Sequence, residues 1–468
     1  MIAIREYSFR RERGWLFILS ILFGLTVSAH QNHPLGVTEL DWRPDPAIAR
    51  SLSINYDAHA GQFLIARQPP GRVEMVDGRR CLAGSILAFD VNDDVIFDDD
   101  ARVTLELLFD RSRSDGFILS YDHAVAPTSK RIEFTGNEDG RWLRHTVTLE
   151  RARFANRKYA GTDLAIAAPG TTYPISAEDS PELVLCDLRL KVDARSPKRP
   201  KGELQLRVLD AGGRPATVRA GLYDGEGISP LPGGTALPVR RYAESVRHLP
   251  VLPSNSFWPG SGPYVFYIDG EYRADLPEGD YSLVISRGPE FRILTRPVSI
   301  TAGERSEVTV QLQRWRDMPA SDWYSGDVHI HMARPDRSVN PGILAFTRAE
   351  DIHVGNLLQM GNMANVYYRQ YAFGTAGQYT DRDHALVSGQ ESPRTPHLGH
   401  TIGLNGRAFH YDADHYYLYD RTARRVRTDG GLFGFAHIAL ADVFELDRGL
   451  VLGIPLGYVD FLEVLQMG

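Results

Sequence analysis

The segment Gly326-Asp327-Val328-His329-Ile330-His331 decides how the C-terminal third of this 468-residue chain is interpreted. Side chains alternate between the two faces of a strand, so His329 and His331 are expected on one face while Val328 and Ile330 face a core. Neutral imidazole is a good ligand for divalent Zn, Fe, Mn or Ni, and two imidazoles on one face suit such an ion. Two partly buried, hydrogen-bonded histidines without a metal are the alternative.

Further candidate ligands follow along the chain. Glu391, His400 and His437 each adjoin a short apolar run bounded by glycine, a pattern typical of a ligand at the carboxyl end of a buried strand. The carboxylate of Glu391 and the imidazoles of His400 and His437 are therefore predicted at the carboxyl ends of strands. A further candidate, Asp336, lies five residues after His331.

The order of these motifs resembles the polymerase and histidinol phosphatase (PHP) superfamily of metallohydrolases. It is most similar to the exported carbaryl-hydrolase-like branch, in which Tyr-Ser-Gly-Asp-x-His-x-His follows β-sandwich domains; here that motif spans Tyr324 to His331. The resemblance covers about residues 320 to 468. It implies that His329, His331 and Glu391 hold a first metal ion, with Glu391 bridging toward a second. The remaining ligands that it implies are Asp336, His400 and His437.

The chemistry implied by this resemblance is hydrolysis by metal-activated water. One or two divalent ions (Zn, Mn or Fe) would lower the pKa of bound water and hold the oxyanion formed from an ester, phosphoester or amide-like bond. The substrate would be a small molecule or a carbohydrate-linked one. Arg394 would orient an anionic substrate, and a surface ion pair is its alternative role.

Two departures from the family pattern predict a degenerate site. After the helix end at Arg348-Ala349-Glu350-Asp351 the family has Thr-Asp-His, but this chain reads Asn356-Leu357-Leu358-Gln359-Met360-Gly361-Asn362. Met360 is too soft and Gly361 has no side chain, so neither ligates a hard ion. The late Asp-x-His of the family is also missing before Gly468. We therefore expect a fragment, a truncated gene product, or a naturally shortened relative in active or inactive form.

The N-terminus predicts export. Arg5, Arg10, Arg11 and Arg13 precede an apolar run from Trp15 to Ala29, and Val27-Ser28-Ala29 is an acceptable cleavage site. A removable signal peptide over residues 1–29 is the first interpretation and a signal anchor the alternative, because the run is short for a membrane span. No other stretch is long and apolar enough to cross a bilayer. A periplasmic or secreted bacterial protein is predicted.

Composition argues against a nucleic-acid partner, and it leaves open whether the two cysteines form a disulfide. Lys and Arg total 52 against 59 Asp and Glu, a net charge of -7, which lacks the basic excess of nucleic-acid-binding proteins. The only two cysteines, Cys81 and Cys186, either pair in an oxidising compartment or remain buried thiols.

Two β-rich stretches separate the signal from the histidine motifs. Residues 37–195 alternate in several apolar runs and resemble a galactose-binding-like jelly roll; residues 197–315 resemble a small Ig-like or carboxypeptidase-regulatory-like sandwich. In the first stretch an acidic loop is either solvated or a structural calcium site, formed by Asp93, Asp94, Asp98, Asp99 and Asp100. Three aromatic residues there are either core or a platform for a sugar ring, namely Tyr121, Trp142 and Phe154.

The sequence thus predicts a multi-domain protein with two N-terminal all-β sandwiches and an incomplete α/β PHP-type, distorted TIM-like barrel over residues 320–468. The leading functional hypothesis is an exported PHP-type metal-dependent hydrolase, in active or degenerate form. The alternative is a non-catalytic exported carbohydrate-binding protein with a vestigial metal domain.

Overall fold

The computed structural model describes thirteen stretches of the chain, and the structural statements below concern them alone. They are residues 39–42, 64–66, 72–91, 95–114, 116–124, 130–135, 140–155, 163–169, 181–237, 265–363, 366–395, 398–438 and 448–464. The predicted signal segment, Asp93, Asp94 and His397 lie outside these stretches. Within them, no helix has the length and apolar character needed to cross a membrane.

The first region is a two-sheet β-sandwich. Its strands are β1 (Glu39–Trp42), β2 (Leu64–Ala66), β3 (Arg72–Val76), β4 (Arg79–Gly84), β5 (Ile86–Asp90), β6 (Ala101–Asp110), β7 (Gly116–Tyr121), β8 (Lys130–Thr135), β9 (Trp142–Ala152), β10 (Leu164–Ala167) and β11 (Leu183–Arg195). One sheet has the order β3-β4-β11-β6-β9 with β1 beside β11, and the other has the order β2-β5-β10-β7-β8. Alternate residues of both sheets, such as Phe89, Leu105 and Phe117, share one core.

A disulfide joins two neighbouring strands of this sandwich. Cys81 on β4 and Cys186 on β11 are bonded, with a sequence separation of 105. The strands pair antiparallel with Leu82 opposite Leu185, which places the two cysteines next to each other across the ladder. Of the two interpretations left open by the sequence, the structure therefore has the paired one.

The second region is one seven-stranded sheet. Its strands are β12 (Lys201–Leu209), β13 (Thr217–Tyr223), β14 (Phe266–Asp269), β15 (Glu271–Pro277), β16 (Gly279–Ser286), β17 (Leu294–Ile300) and β18 (Arg305–Gln311). The order is β17-β16-β13-β14-β15-β12-β18, with a parallel pair only at β12 and β18. Val298 and Ile300 of one edge share a core with Val308 and Val310 of the other. The sheet therefore curls around a single core.

The third region is a mixed eight-stranded sheet. Its elements are β19 (Gly326–Ile330), α1 (Asn340–Ala349), β20 (Val354–Gly361), β21 (Val366–Tyr367), α2 (Gly374–Gly377), β22 (Tyr379–Asp381), β23 (His384–Thr395), β24 (Gly399–Leu404), α3 (Tyr419–Thr428), β25 (Leu432–Phe435), α4 (Arg448–Gly453) and β26 (Phe461–Leu462). Short 3-10 turns lie at Pro319–Ser321 and Arg337–Val339. The order is β19-β20-β23-β24-β25-β26, with β21 beside β20 and β22 beside β23. On the surface of α4 and the turn after it, Val451, Leu452, Ile454 and Leu456 are exposed.

Helix α1 joins the third region to the second. The Tyr267 ring packs edge-on against Phe346 of α1, and the Tyr267 hydroxyl donates to Glu350 Oε1 at 2.9 Å. Arg314 Nη2 donates to both carboxylate oxygens of Asp351, at 2.9 and 3.2 Å. Gly288 has φ 55°, and a Cβ there would lie 2.5 Å from the Glu350 carbonyl oxygen. The absence of a side chain at Gly288 thus permits the backbone of the second region to lie against the Glu350 carbonyl of the third.

The predicted incomplete α/β barrel is wrong. Strand accounts for 50% of the structure and helix for 11%, whereas a barrel of the TIM type has a helix after each strand. The sheet also reverses direction, because β24 runs antiparallel to β23 and to β25. The first three strands (β19, β20 and β23) are parallel, as in a barrel, but the antiparallel β24 that follows breaks the repeat. The predicted β-sandwich and multi-domain character is consistent with the structure, but the second region is one curled sheet where a sandwich was predicted.

Candidate metal centre

One edge of the third sheet gathers most of the predicted ligands. His329 lies near the end of β19, Glu391 lies in β23, and His437 follows β25. His400 instead lies at the start of β24, opposite Arg394 of β23. Because β24 is antiparallel to β23, its first residues lie at the edge where β19 and β23 end. The antiparallel direction of β24 therefore brings His400 close to the candidate ligands His329 and Glu391 on the parallel strands β19 and β23.

Glu391 is the centre of the cluster. Its carboxylate is 1% exposed, and Oε2 lies 3.2 Å from His329 Nε2 and 3.1 Å from His331 Nε2. The other oxygen, Oε1, lies 2.8 Å from His400 Nδ1 and 3.3 Å from Arg394 Nε. A buried carboxylate is costly unless it is paired, and here three imidazoles and a guanidinium surround it.

His437 and Glu463 complete the cluster on its far side. The His437 ring stacks on His329 with centroids 5.5 Å apart and meets His400 edge-on at 4.9 Å. Glu463 Oε2 accepts from the His437 backbone N–H at 2.7 Å and lies 2.9 Å from His329 Nδ1. Glu463 thus contacts the ring nitrogen of His329 that faces away from Glu391. A carboxylate in that position orients a metal-binding imidazole.

The electrostatics separate the imidazoles into two kinds. Burial disfavours the charged form of His329, but hydrogen bonds with Glu391 and Glu463 outweigh it and raise the His329 pKa to about 10. Burial and the neighbouring His400 lower the pKa of His437 to about 4. Burial also lowers the pKa of His400. The cluster therefore holds one imidazole, His329, that keeps its proton beside two carboxylates, and two, His400 and His437, that are neutral at pH 7.

Glu391 remains ionised within this cluster. Burial would raise its pKa, but the Arg394 guanidinium and the hydrogen bonds from His329, His331 and His400 hold that pKa well below its usual range. An ionised, buried carboxylate and nearby imidazoles are the donors that Zn²⁺ and related divalent ions prefer.

The donor atoms fit one or two divalent cations. Two groups share Glu391: the first adds His329 and His331, and the second adds His400 and His437. In each group the donor atoms lie within 4.8 Å of one another. The buried Nδ1 of His331 has no hydrogen-bond partner among the described residues. A cation on Glu391 would replace the imidazole protons that now face this carboxylate, and it could also polarise a bound water.

Two predicted site residues have other contacts. The carboxylate of Asp336 accepts from the Ser338 backbone N–H at 2.7 Å, at the start of a 3-10 turn, and Asp336 is in neither donor group. The Arg394 side chain pairs with Glu391, donates to the Tyr367 hydroxyl, and lies over the Tyr367 ring at 5.8 Å. The substrate-binding role of Arg394 stays a prediction.

Glu463 was not predicted from the sequence. It follows the two-residue strand β26 and is 134 positions from His329, so no local spacing connects the two. Its only sequence signal is its position as an acid just after a short apolar strand. Strand β20, which lies between β19 and β23, contributes no ligand; its Met360 is in register with Glu391. His410 and His415 pair with Asp429 and Asp412, away from the cluster.

The predicted sites in the first region have protein partners. Asp98, Asp99 and Asp100 form ion pairs with arginine or lysine: Arg153 at 2.5 Å, Lys198 at 3.1 Å and Arg151 at 2.8 Å respectively. Calcium binding by this loop stays a prediction. Tyr121 and Phe154 are fully buried core residues and cannot stack on a sugar, whereas Trp142 is partly exposed beneath Arg79 and Arg141.

Comparison with known proteins identifies no family. No family model matches the chain, and no curated protein matches it. Among solved structures, the minor pilin GBS52 of Streptococcus agalactiae is 14% identical, covering 54% of this chain and 91% of that one with a TM-score of 0.19. The group B streptococcus pilus 2b backbone protein is 10% identical, and the match covers 56% of this chain and 100% of that one with a TM-score of 0.18. The Bacillus cereus major pilin BcpA is 11% identical, and the match covers 50% of this chain and 65% of that one with a TM-score of 0.16. These low scores do not establish a shared fold.

The predicted family memberships are therefore wrong. No family model supports the PHP, galactose-binding-like or carboxypeptidase-regulatory-like resemblances, and the third region is a mixed sheet with little helix. The prediction of a PHP-type hydrolase loses the resemblance on which it depended. The donor cluster itself is defined by distances in the structure and is independent of that resemblance.

Proposed function

We propose that this chain is an exported, non-catalytic binding protein whose third region holds one or two divalent cations. The proposed ligands are His329, His331, Glu391, His400 and His437, with Glu463 orienting His329. The observation that carries the proposal is the Glu391 carboxylate, which is 1% exposed and lies within 3.2 Å of three imidazoles. Divalent zinc is the first candidate, because four imidazoles and a carboxylate are donors that it accepts readily.

Two observations support export and a binding role. The disulfide between Cys81 and Cys186 suits an oxidising compartment, in agreement with the predicted N-terminal signal. Arg394, the one residue predicted to contact a substrate, is occupied by Glu391 and Tyr367. That pairing favours a structural or binding role for the cluster over a catalytic one.

Metal content is the direct test of the proposal. Wild-type protein, His329→Ala and the control His415→Ala would be loaded with Zn²⁺, dialysed and measured by inductively coupled plasma mass spectrometry. His415 is a suitable control because it is half-exposed and pairs with Asp412, outside the cluster. We expect His329→Ala to lose about one equivalent relative to both other proteins. Equal metal content in all three proteins would refute the proposal.

A further inference from the structure

A second cluster of potential ligands lies at the opposite edge of the third sheet. Asp351 and His353 precede β20, and His384 is the first residue of β23. All three residues are buried, with 2%, 2% and 3% exposure, and their donor atoms lie within 4.8 Å of one another. Glu391 is seven residues further along β23, so the two clusters lie at different ends of the same strand.

The hydrogen bonds of His353 fix its tautomer. Ser325 Oγ donates its one proton to the Asp351 carbonyl oxygen. His353 Nδ1 lies 2.8 Å from the same Oγ, so Nδ1 must carry the proton in this bond. In the neutral ring, Nε2 then presents a lone pair.

His384 has the same arrangement. Its Nδ1 lies 2.7 Å from Asp383 Oδ1, and a carboxylate only accepts, so Nδ1 is again the donor. The Nε2 atom of His384 is buried and has no hydrogen-bond partner among the described residues. An Nδ1–H held by a hydroxyl or carboxylate, with Nε2 left as an acceptor, is the usual environment of a metal-binding histidine. The two rings stack with centroids 4.7 Å apart.

Charged groups of both signs surround this cluster. Asp351 is bound by Arg314 and lies 3.9 Å from Arg287, so it is neutralised in part by the second region. The ion pairs around the cluster nevertheless contain more carboxylates than guanidiniums. The carboxylates are Asp351, Asp381, Asp383, Glu290 and Asp317, and the guanidiniums are Arg287, Arg314 and Arg348.

We propose that Asp351, His353 and His384 form a second, structural site for a divalent cation of the zinc class, separate from the Glu391 cluster. The ion would bind both Nε2 atoms and one Asp351 oxygen, and it would give the buried Nε2 of His384 the partner that it lacks. Because Asp351 also binds Arg314 and Arg287, the ion would strengthen the contact between the second and third regions. The site is independent of the proposed function.

The test is a zinc stoichiometry series in the full chain. His384→Asn keeps a polar group near the position of Nδ1 and removes Nε2, whereas His384→Gln places an amide near the position of Nε2. We expect Glu391→Gln, which changes the residue shared by both donor groups of the first centre, to retain about one equivalent of zinc. The double variant Glu391→Gln/His384→Asn should lose it. His384→Gln should retain more zinc than His384→Asn. Co²⁺ loaded into Glu391→Gln should give a visible absorption band that the additional substitution His384→Asn abolishes.

The outcomes separate the two proposals. Wild-type zinc content in His384→Asn, with circular dichroism showing a folded protein, overturns the second site. Loss of zinc in His384→Asn but not in His329→Ala supports the second site and refutes the Glu391 centre. If His384→Asn does not fold, the melting temperature of Glu391→Gln with and without zinc decides. A zinc-dependent rise supports the second site, and its absence overturns that site.

Discussion

At the scale of single residues, the two glutamates of the metal centre have different tasks. Glu391 faces three imidazoles and would contact the ion directly, whereas Glu463 touches His329 on the opposite ring nitrogen. Removing a ligand eliminates a bond to the metal, whereas removing a group that orients a ligand only lowers the affinity for the metal. The two positions should therefore respond differently to the same substitution.

We predict that Glu391→Gln abolishes zinc binding at this centre, and that Glu463→Gln weakens it by about 10- to 100-fold. Both changes preserve shape and remove one negative charge. Competition titration with a chromogenic zinc chelator measures the two affinities. Equal affinities for the two variants would contradict the assigned roles.

The His-x-His segment and the candidates Glu391, His400 and His437 could be read from the sequence, but Glu463 could not. Strand alternation predicts that His329 and His331 share a face, and both imidazoles do contact Glu391 Oε2. The place of Glu463 depends on the pairing of β25 with β26, which no spacing encodes. The tautomers of His353 and His384 depend in turn on Ser325 and Asp383, and only their positions in three dimensions show this.

At the scale of elements, the link between β4 and β11 should be the main covalent contribution to stability in the first region. The disulfide closes a loop with a sequence separation of 105 residues. Loops of this length lose considerable chain entropy when they are cross-linked, which destabilises the unfolded state.

We predict that the double variant Cys81→Ala/Cys186→Ala lowers the free energy of unfolding by about 2–5 kcal/mol. Urea denaturation with and without reductant measures the effect, and reductant should change the wild-type curve only. A wild-type midpoint that is insensitive to a reductant shown to cleave the bond would contradict the prediction.

Alternation along the strands predicts the β-sandwich of the first region, because inward residues such as Val103, Leu105 and Leu107 of β6 recur at every second position. The arrangement of the third region could not be predicted in the same way. Its strands β20 and β23 are largely buried and parallel, which suits a parallel barrel, while β24 runs antiparallel to β23. Direction of pairing is a property of the whole sheet, so the sequence favoured the wrong architecture.

At the scale of the whole molecule, the contact between the second and third regions depends on a few charged groups. Glu350 accepts from Tyr267 and pairs with Arg219, and Asp351 pairs with Arg314. Burial raises the pKa of Asp351, and the two nearby guanidiniums of Arg314 and Arg287 oppose that rise. Loss of Arg314 would leave the buried carboxylate with weaker compensation.

We predict that Arg314→Met destabilises this contact by about 3 kcal/mol, because breaking a buried pair leaves an uncompensated charge. The pair Arg314→Met/Asp351→Asn should recover part of the loss. Thermal unfolding monitored by calorimetry would show a lower transition temperature for the single variant than for the wild-type protein. An unchanged transition would contradict the role of Arg314, and Arg296→Met, an exposed arginine on β17, is the control.

The apolar surface of α4 and its following turn has a practical consequence for experiments on this protein. Val451, Leu452, Ile454 and Leu456 present side chains to solvent close together in sequence. Patches of this kind promote association between molecules as concentration rises. Light scattering should accompany any titration at high protein concentration, since colloidal assembly would otherwise be mistaken for ligand-induced oligomers.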